Sequence, residues 1–207
     1  MAKLPLPPPP EVLRDRGNPP EWATDLPDII WRIRPTAGDY PTRWNSFRTF
    51  GPLPSARFDP HEPPAHEQHE RVAYFGADWP VCLAEVYQDT RVVDTRRNTP
   101  FVTAIRPTRP LRLLSLRGGW PLTIGASHHI NTGRKDHCRA WARALRRAWP
   151  QADGLASVGI NSGTVITLFD PARNSLGKRP AFDRPLADQA IEAHLAAAAE
   201  MIGYDIV

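Results

Sequence analysis

The stretch VAYFGADWPVCLAEVYQD, Val72 to Asp89, decides the fold. VAYFGA is short, apolar and rich in β-branched and aromatic residues, which is the pattern of a buried strand. From Trp79 to Asp89 the apolar positions move to helical spacing, with Leu83, Val86 and Tyr87 on one stripe and Pro80 suited to a first helical position. A strand running straight into a helix delivers Glu85 about one turn inside that helix, off the stripe. There a carboxylate can face the end of a sheet, where it could hydrogen-bond ribose hydroxyls or steady an oxocarbenium-like centre. The plain alternative is a solvated acid favoured by the helix N-terminus.

Upstream, IIWRI (Ile29 to Ile33) reads as another strand, carrying Arg32 between Trp31 and Ile33. A guanidinium there must find a partner or protrude from the sheet, because an unpaired buried charge is costly. The two strands are joined by about 35 residues dense in Pro and polar side chains, RWNSFRTFGPLPSARFDPHEPPAHEQHE, an unusually long connection for a compact domain. Within it Arg57 and Phe58, in SARFDP, suit either the grip of a diphosphate beside a stacking ring or a loop pinned by an aromatic anchor. Tyr40, Trp44 and Phe47 offer further rings.

Downstream, TPFVTAIRP and LRLLSL read as strands, HCRAWARALRRAWP as an amphipathic helix with Cys138, Trp141 and Leu145 on one face, and TVITLFD as a late buried strand. A closing helix is expected over about 186–202, started by Pro185. Strands and helices intermixed in this order indicate an α+β fold, a single domain with a mixed β-sheet core and flanking helices. Residues 1–25, with the run PLPPPP, read as a polyproline-like or loosely ordered arm ahead of a domain spanning 26–207.

Composition sets the outer limits. With 207 residues, 41% hydrophobic, there is material for one core. The charge of +4 comes from Arg scattered along the chain, with no basic run, so nucleic acid binding is not expected and a small anionic ligand is. Cys82 and Cys138 have no paired spacing, which suits a reducing cytoplasm, and no apolar run is long enough to cross a bilayer. HEPPAHEQHE is not HExxH, and Pro63 and Pro64 keep His61 off any helical face shared with His66 and His69, so no metal site is expected. Phosphate-binding loops of the GxGxxG and GxxxxGK types are absent.

The order WRI, WNSF, ARFDP, VAYFGADWPVCLAEVYQD, GASHHINTG, the Arg-rich helix ending in WP, then DGL and TLFD is similar to that of RES-domain proteins from Arg32 to Asp170, about two thirds of the chain. The resemblance implies an ADP-ribosyltransferase-like fold and an enzyme that consumes NAD as substrate, by hydrolysis or phosphorolysis of the nicotinamide glycosidic bond, with no permanently bound cofactor. It implies inorganic phosphate as one acceptor and, for a toxin of this family, an antitoxin protein as partner. Carried over residue by residue, it assigns catalytic roles to Arg32, Tyr74 and Glu85 and a binding role to Arg57. The family's serine falls on Gly159 in DGLASVGINSG, leaving Ser157, Asn161 and Ser162 as candidates for the missing polar group. Two other readings follow from the same residues: transfer of ADP-ribose to a macromolecule, and a degenerate domain that binds a nucleotide or a partner protein.

Overall fold

The molecule is a computed structural model that describes residues 3–207. Its elements follow as α1 (Pro10–Arg16), β1 (Ile30–Pro35), β2 (Arg48–Gly51), β3 (His66–Gly76), α2 (Trp79–Tyr87), β4 (Val92–Val93), β5 (Pro100–Ile105), β6 (Leu113–Ser115), α3 (Trp120–Thr123), α4 (Lys135–Ala148), β7 (Gly154–Val158), β8 (Thr164–Phe169), β9 (Phe182–Pro185), α5 (Glu192–Ile202) and β10 (Asp205–Ile206). The main sheet has the order β6-β7-β8-β3-β1-β5-β9, with β2 added on β3. β6 and β7 run parallel and the other ladders of this sheet are antiparallel, so the fold is α+β with a mixed sheet.

Alternation along the central strands divides the core. Val72 and Tyr74 of β3 face α4, whose buried stripe carries Cys138, Trp141 and Leu145. Ala73 and Phe75 face the opposite side, together with Ile30, Ile105 and Ile166. On the helix-bearing side, Trp31, Ile33 and Val102 pack against α2 and α5 through Leu83, Leu195 and Ala198. β1 and β3 share only the register pair Trp31 and Gly76, and part beyond it.

Several expectations change. The N-terminal arm is not loose: Leu13 of α1 is fully buried, Leu4 nearly so, and α1 packs on α4. Two main-chain carbonyls of the proline run are held, Leu4 by His137 Nδ1 at 2.7 Å and Pro5 by the indole of Trp141 at 2.8 Å. Further on, Ala23 donates to Leu113, Ser115 donates to Glu21, and Trp22 bridges Leu114, so this segment covers the free edge of β6. The closing helix begins at Glu192 rather than near 186, because Pro185 pairs with Phe101 in β9 and Asp188 caps the short turn at Gln189–Ile191. The long connection is partly regular, since HEQHE forms the exposed start of β3 and pairs with β2.

The rest of that connection is fastened by charge. Asp59 and His61 are fully buried and bonded to each other, while Asp59 Oδ2 also accepts from Arg48 at 2.7 Å and from the Leu53 amide at 2.8 Å. Burial pulls the Asp59 carboxyl up, but its bonds from His61, Leu53 and Arg48 outweigh that and hold it down at about 2. Arg139 of α4 donates to the carbonyls of Leu53, Pro54 and Ala56, and Arg143 to that of His61.

On the other side of the sheet Arg34, buried, bonds Asp183 through both carboxylate oxygens and Thr103 through Nε. Asp183→Ala strips the carboxylate bonded to the buried Arg34 guanidinium, and is expected to lower stability by about 3 kcal/mol, read from the urea midpoint at unchanged slope. Asp59 is depressed in the fold, so its contribution is complete above the ordinary carboxylate range and disappears as pH falls from about 4 through about 2. Urea titrations between pH 5 and 2 are expected to show that loss, and Asp59→Asn to flatten it.

Candidate functional site

Helix α2 is launched by a capped turn. Asp78 accepts the Val81 amide at 2.9 Å and Pro80 occupies the first turn, where it has no amide to lose. The helix then lies directly on the strand it follows, so that a Cβ on Gly76 would stand 2.8 Å from Cys82 Sγ and 2.9 Å from Val81. From this seat Glu85 reaches sideways to the hairpin between β7 and β8. Its Oε1 accepts the main-chain amide of Ile160 at 2.9 Å, and Oε2 has no hydrogen-bond partner among the described residues.

The hairpin is compact. Gly159 N donates to Gly163 O at 2.8 Å, Ser162 N to Gly159 O at 3.0 Å, and Gly163 N to Asn161 Oδ1 at 3.2 Å. Its root is held by Asn131, which donates to Leu116 O at 2.8 Å and accepts from Val158 N at 3.1 Å. Neither this use of Asn131 nor the Ile160 amide is readable in the sequence. GASHHINTG shows an asparagine in a loop and no more, and a main-chain donor leaves no trace in residue type.

Arg32 stands where β1 and β3 part. Its guanidinium lies over the Phe75 ring, 5.2 Å from the centroid, and Nη1 donates to Ser46 O at 3.0 Å and Trp44 O at 3.4 Å. Nε is buried without a partner. Burial, and next the like charge of Arg34, bring its pKa down to about 10, so it remains a cation at neutral pH. Cys82, three residues before Glu85 on α2, is buried. Its thiol is pushed up to about 12, chiefly by burial, and it feels the fields of both Arg32 and Glu85. A thiol held protonated is no nucleophile, so Cys82 is an inert core thiol.

The remaining expected residues are placed differently from one another. Tyr74 faces α4, the side opposite Phe75 and Arg32; its hydroxyl is buried without a partner and its ionisation is driven far up, chiefly by burial and next by Asp59. Arg57 lies on the same helix-bearing side, where Nη1 donates to Gly133 O at 2.6 Å and approaches Cys138 Sγ at 3.6 Å. Ser157 is buried in β7, its hydroxyl 3.4 Å from Val165 O. Asn161 spends its side chain on the hairpin, and Ser162 is exposed with φ of 65°. The structure therefore groups Glu85 with residues 159–163, sets Arg32 over Phe75 where β1 and β3 part, and leaves Tyr74 and Arg57 on the α4 side. Among the described residues, no three His, Cys, Asp or Glu side chains converge as metal ligands, and no helix is long and apolar enough to cross a membrane.

Known proteins match this architecture. A chain of the crystal structure of the M. tuberculosis MbcT–MbcA toxin–antitoxin complex superimposes with a TM-score of 0.56 at 14% identity, covering 90% of this chain and 98% of that one. That likeness shows the fold, an α+β domain with a mixed sheet and flanking helices. No curated protein matches the sequence significantly. The family model described as RES domain matches residues 29–192, from the start of the Arg32 strand into α5, and on that match the chain belongs to the RES-domain family.

Proposed function

We propose that this protein is a NAD-consuming enzyme that breaks the nicotinamide glycosidic bond, and that it acts as the toxin of a toxin–antitoxin pair in the cytoplasm. The observation that carries the reading is the Glu85 carboxylate, fixed through one oxygen by the Ile160 amide with the other oxygen unpartnered. Support for the class comes from membership of the RES-domain family and from likeness to a chain of a toxin–antitoxin complex. An antitoxin protein is the partner this implies.

NAD already carries its leaving group as a cation. As the bond from C1′ to the pyridinium nitrogen breaks, its electron pair goes to nicotinamide, which leaves neutral and needs no proton. C1′ and the ribose ring oxygen take up the positive charge. A carboxylate near that centre lowers its energy, while a cation holding the diphosphate keeps the dinucleotide in place. Glu85 Oε2 serves the first role and Arg32, with its unpartnered Nε, the second. Tyr74 and Arg57, on the α4 side, and Ser157, buried in β7, take no part in this reading, and Asn161 and Ser162 belong to the hairpin itself. Water or inorganic phosphate then adds through oxygen to C1′; a water acceptor loses its proton to solvent.

Incubation with NAD, with and without inorganic phosphate, is expected to release nicotinamide, with ADP-ribose or its 1″-phosphate as the second product. Glu85→Gln keeps the size of the side chain and removes the charge, so its rate is expected to fall about a hundredfold or more. Arg32→Ala is expected to raise KM for NAD as well as to lower kcat. Nicotinamide release at the wild-type rate by both variants would exclude this site. Expression is expected to arrest growth in the wild type and not in Glu85→Gln.

A further inference from the structure

The hairpin that meets Glu85 has a feature that its side chains do not explain. Its contact with the carboxylate is made by main chain, and position 159 is the reason that it can be. A Cβ at Gly159 would lie 2.9 Å from Glu85 Oε1 and 2.8 Å from a methyl of Val165, too close for either to remain where it is. With glycine there, the backbone closes on the carboxylate and the next amide, that of Ile160, points at Oε1 from 2.9 Å. The Ile160 side chain takes no part and is largely exposed. An amide donating to a carboxylate is a charge-assisted bond, and an amide fixed by a tight hairpin costs less ordering than a free hydroxyl.

Resting on the role given to Glu85 above, we infer that the Gly159–Ile160 peptide is the positioning element of this site: its N–H orients Glu85 and takes the place of a side-chain donor at position 159. Asn131 extends the device, since its amide pins Val158 and hence the root of the hairpin to the end of β6. Glu85 Oε2 is left as the face presented to substrate. The peptide acts through Glu85 and touches no reacting atom.

Two measurements test this. The first needs no catalysis: the Ile160 amide is expected to exchange slowly with deuterium in the wild type and at least tenfold faster in Glu85→Ala, with neighbouring hairpin amides such as Gly159 much less affected. Equal Ile160 rates in the two proteins would overturn the contact. The second is kinetic. Ile160→Pro removes the donor, and kcat is expected to fall tenfold to a hundredfold with KM within about threefold, because a bond to a charged group is lost from a residue working in the transition state. Ile160→Ala, which restores the N–H, is expected to restore kcat. Should Ile160→Pro fail to fold, as judged by its melting curve, Gly159→Ala supplies the same perturbation by pushing on Oε1, with the same expected loss of kcat. Full kcat in the folded variant, alongside an inactive Glu85→Gln, would overturn the inference while leaving the role of Glu85 standing. A wild type that releases no nicotinamide would count against the proposed reaction, with the exchange measurement still deciding the contact.

Discussion

The close seat of α2 on the backbone of Gly76 is the constraint on which the rest of the site depends. No side chain fits between strand and helix at that point, since Cys82 and Val81 already occupy the space. The seat brings the helix to the end of the one strand that pairs with β1, β2 and β8 alike. It buries Cys82, sets Glu85 against the β7–β8 hairpin, and leaves Arg32 at the parting of β1 and β3. Had a larger residue lifted α2 by an ångström or two, the bond from Ile160 to Glu85 would have been out of reach, because hydrogen bonds weaken steeply beyond about 3.2 Å.

Much of this was legible in the chain. Short apolar runs mark β1, β5, β6 and β8, with β5 and β8 buried on both faces, and helical spacing marks α2 and α4, although Val86 of the expected α2 stripe is exposed. Local pattern failed where tertiary packing overrides it. Residues 1–25 read as a polyproline-like or loosely ordered arm because Pro lacks a donor and fixes φ, yet the main-chain carbonyls of Leu4 and Pro5 remain acceptors, and His137 and Trp141 use them. HEQHE belongs to the Pro- and polar-rich connection that reads as loop, yet it extends β3 into solvent beside β2. The motifs single out Glu85 and Arg32, whereas Tyr74 lies across the sheet from Arg32, which simple alternation along VAYFG shows only once the face of Arg32 is known.

The arginines carry a second lesson. Their number suggested an anionic ligand, but many are consumed by the protein itself. Arg139 is spent on three carbonyls of the long connection, Arg143, Arg146 and Arg147 on Glu62, Glu70 and neighbouring carbonyls, Arg34 on Asp183, and Arg109 on the buried Asp153. A planar fork with five donors suits loops that expose main-chain oxygens without a ladder to receive them. Net charge therefore overstated what is free to meet a ligand, and a buried cation with an idle donor, as at Arg32, is the more informative sign.

The strip formed by residues 21–23 along β6 bears on where the folding unit begins. The family match starts at residue 29, after that strip, and ends at 192, before most of α5 and all of β10. A protein trimmed to the matching span would lose the cover over the β6 edge, the Leu13 plug against α4, and the Leu195 and Ala198 contacts over β1 and β5. It would carry every residue of the proposed site and still present a bare strand edge and two uncovered apolar faces, the conditions under which sheets join end to end between molecules. For this chain, the limits of family likeness and the limits of its packed core are different boundaries.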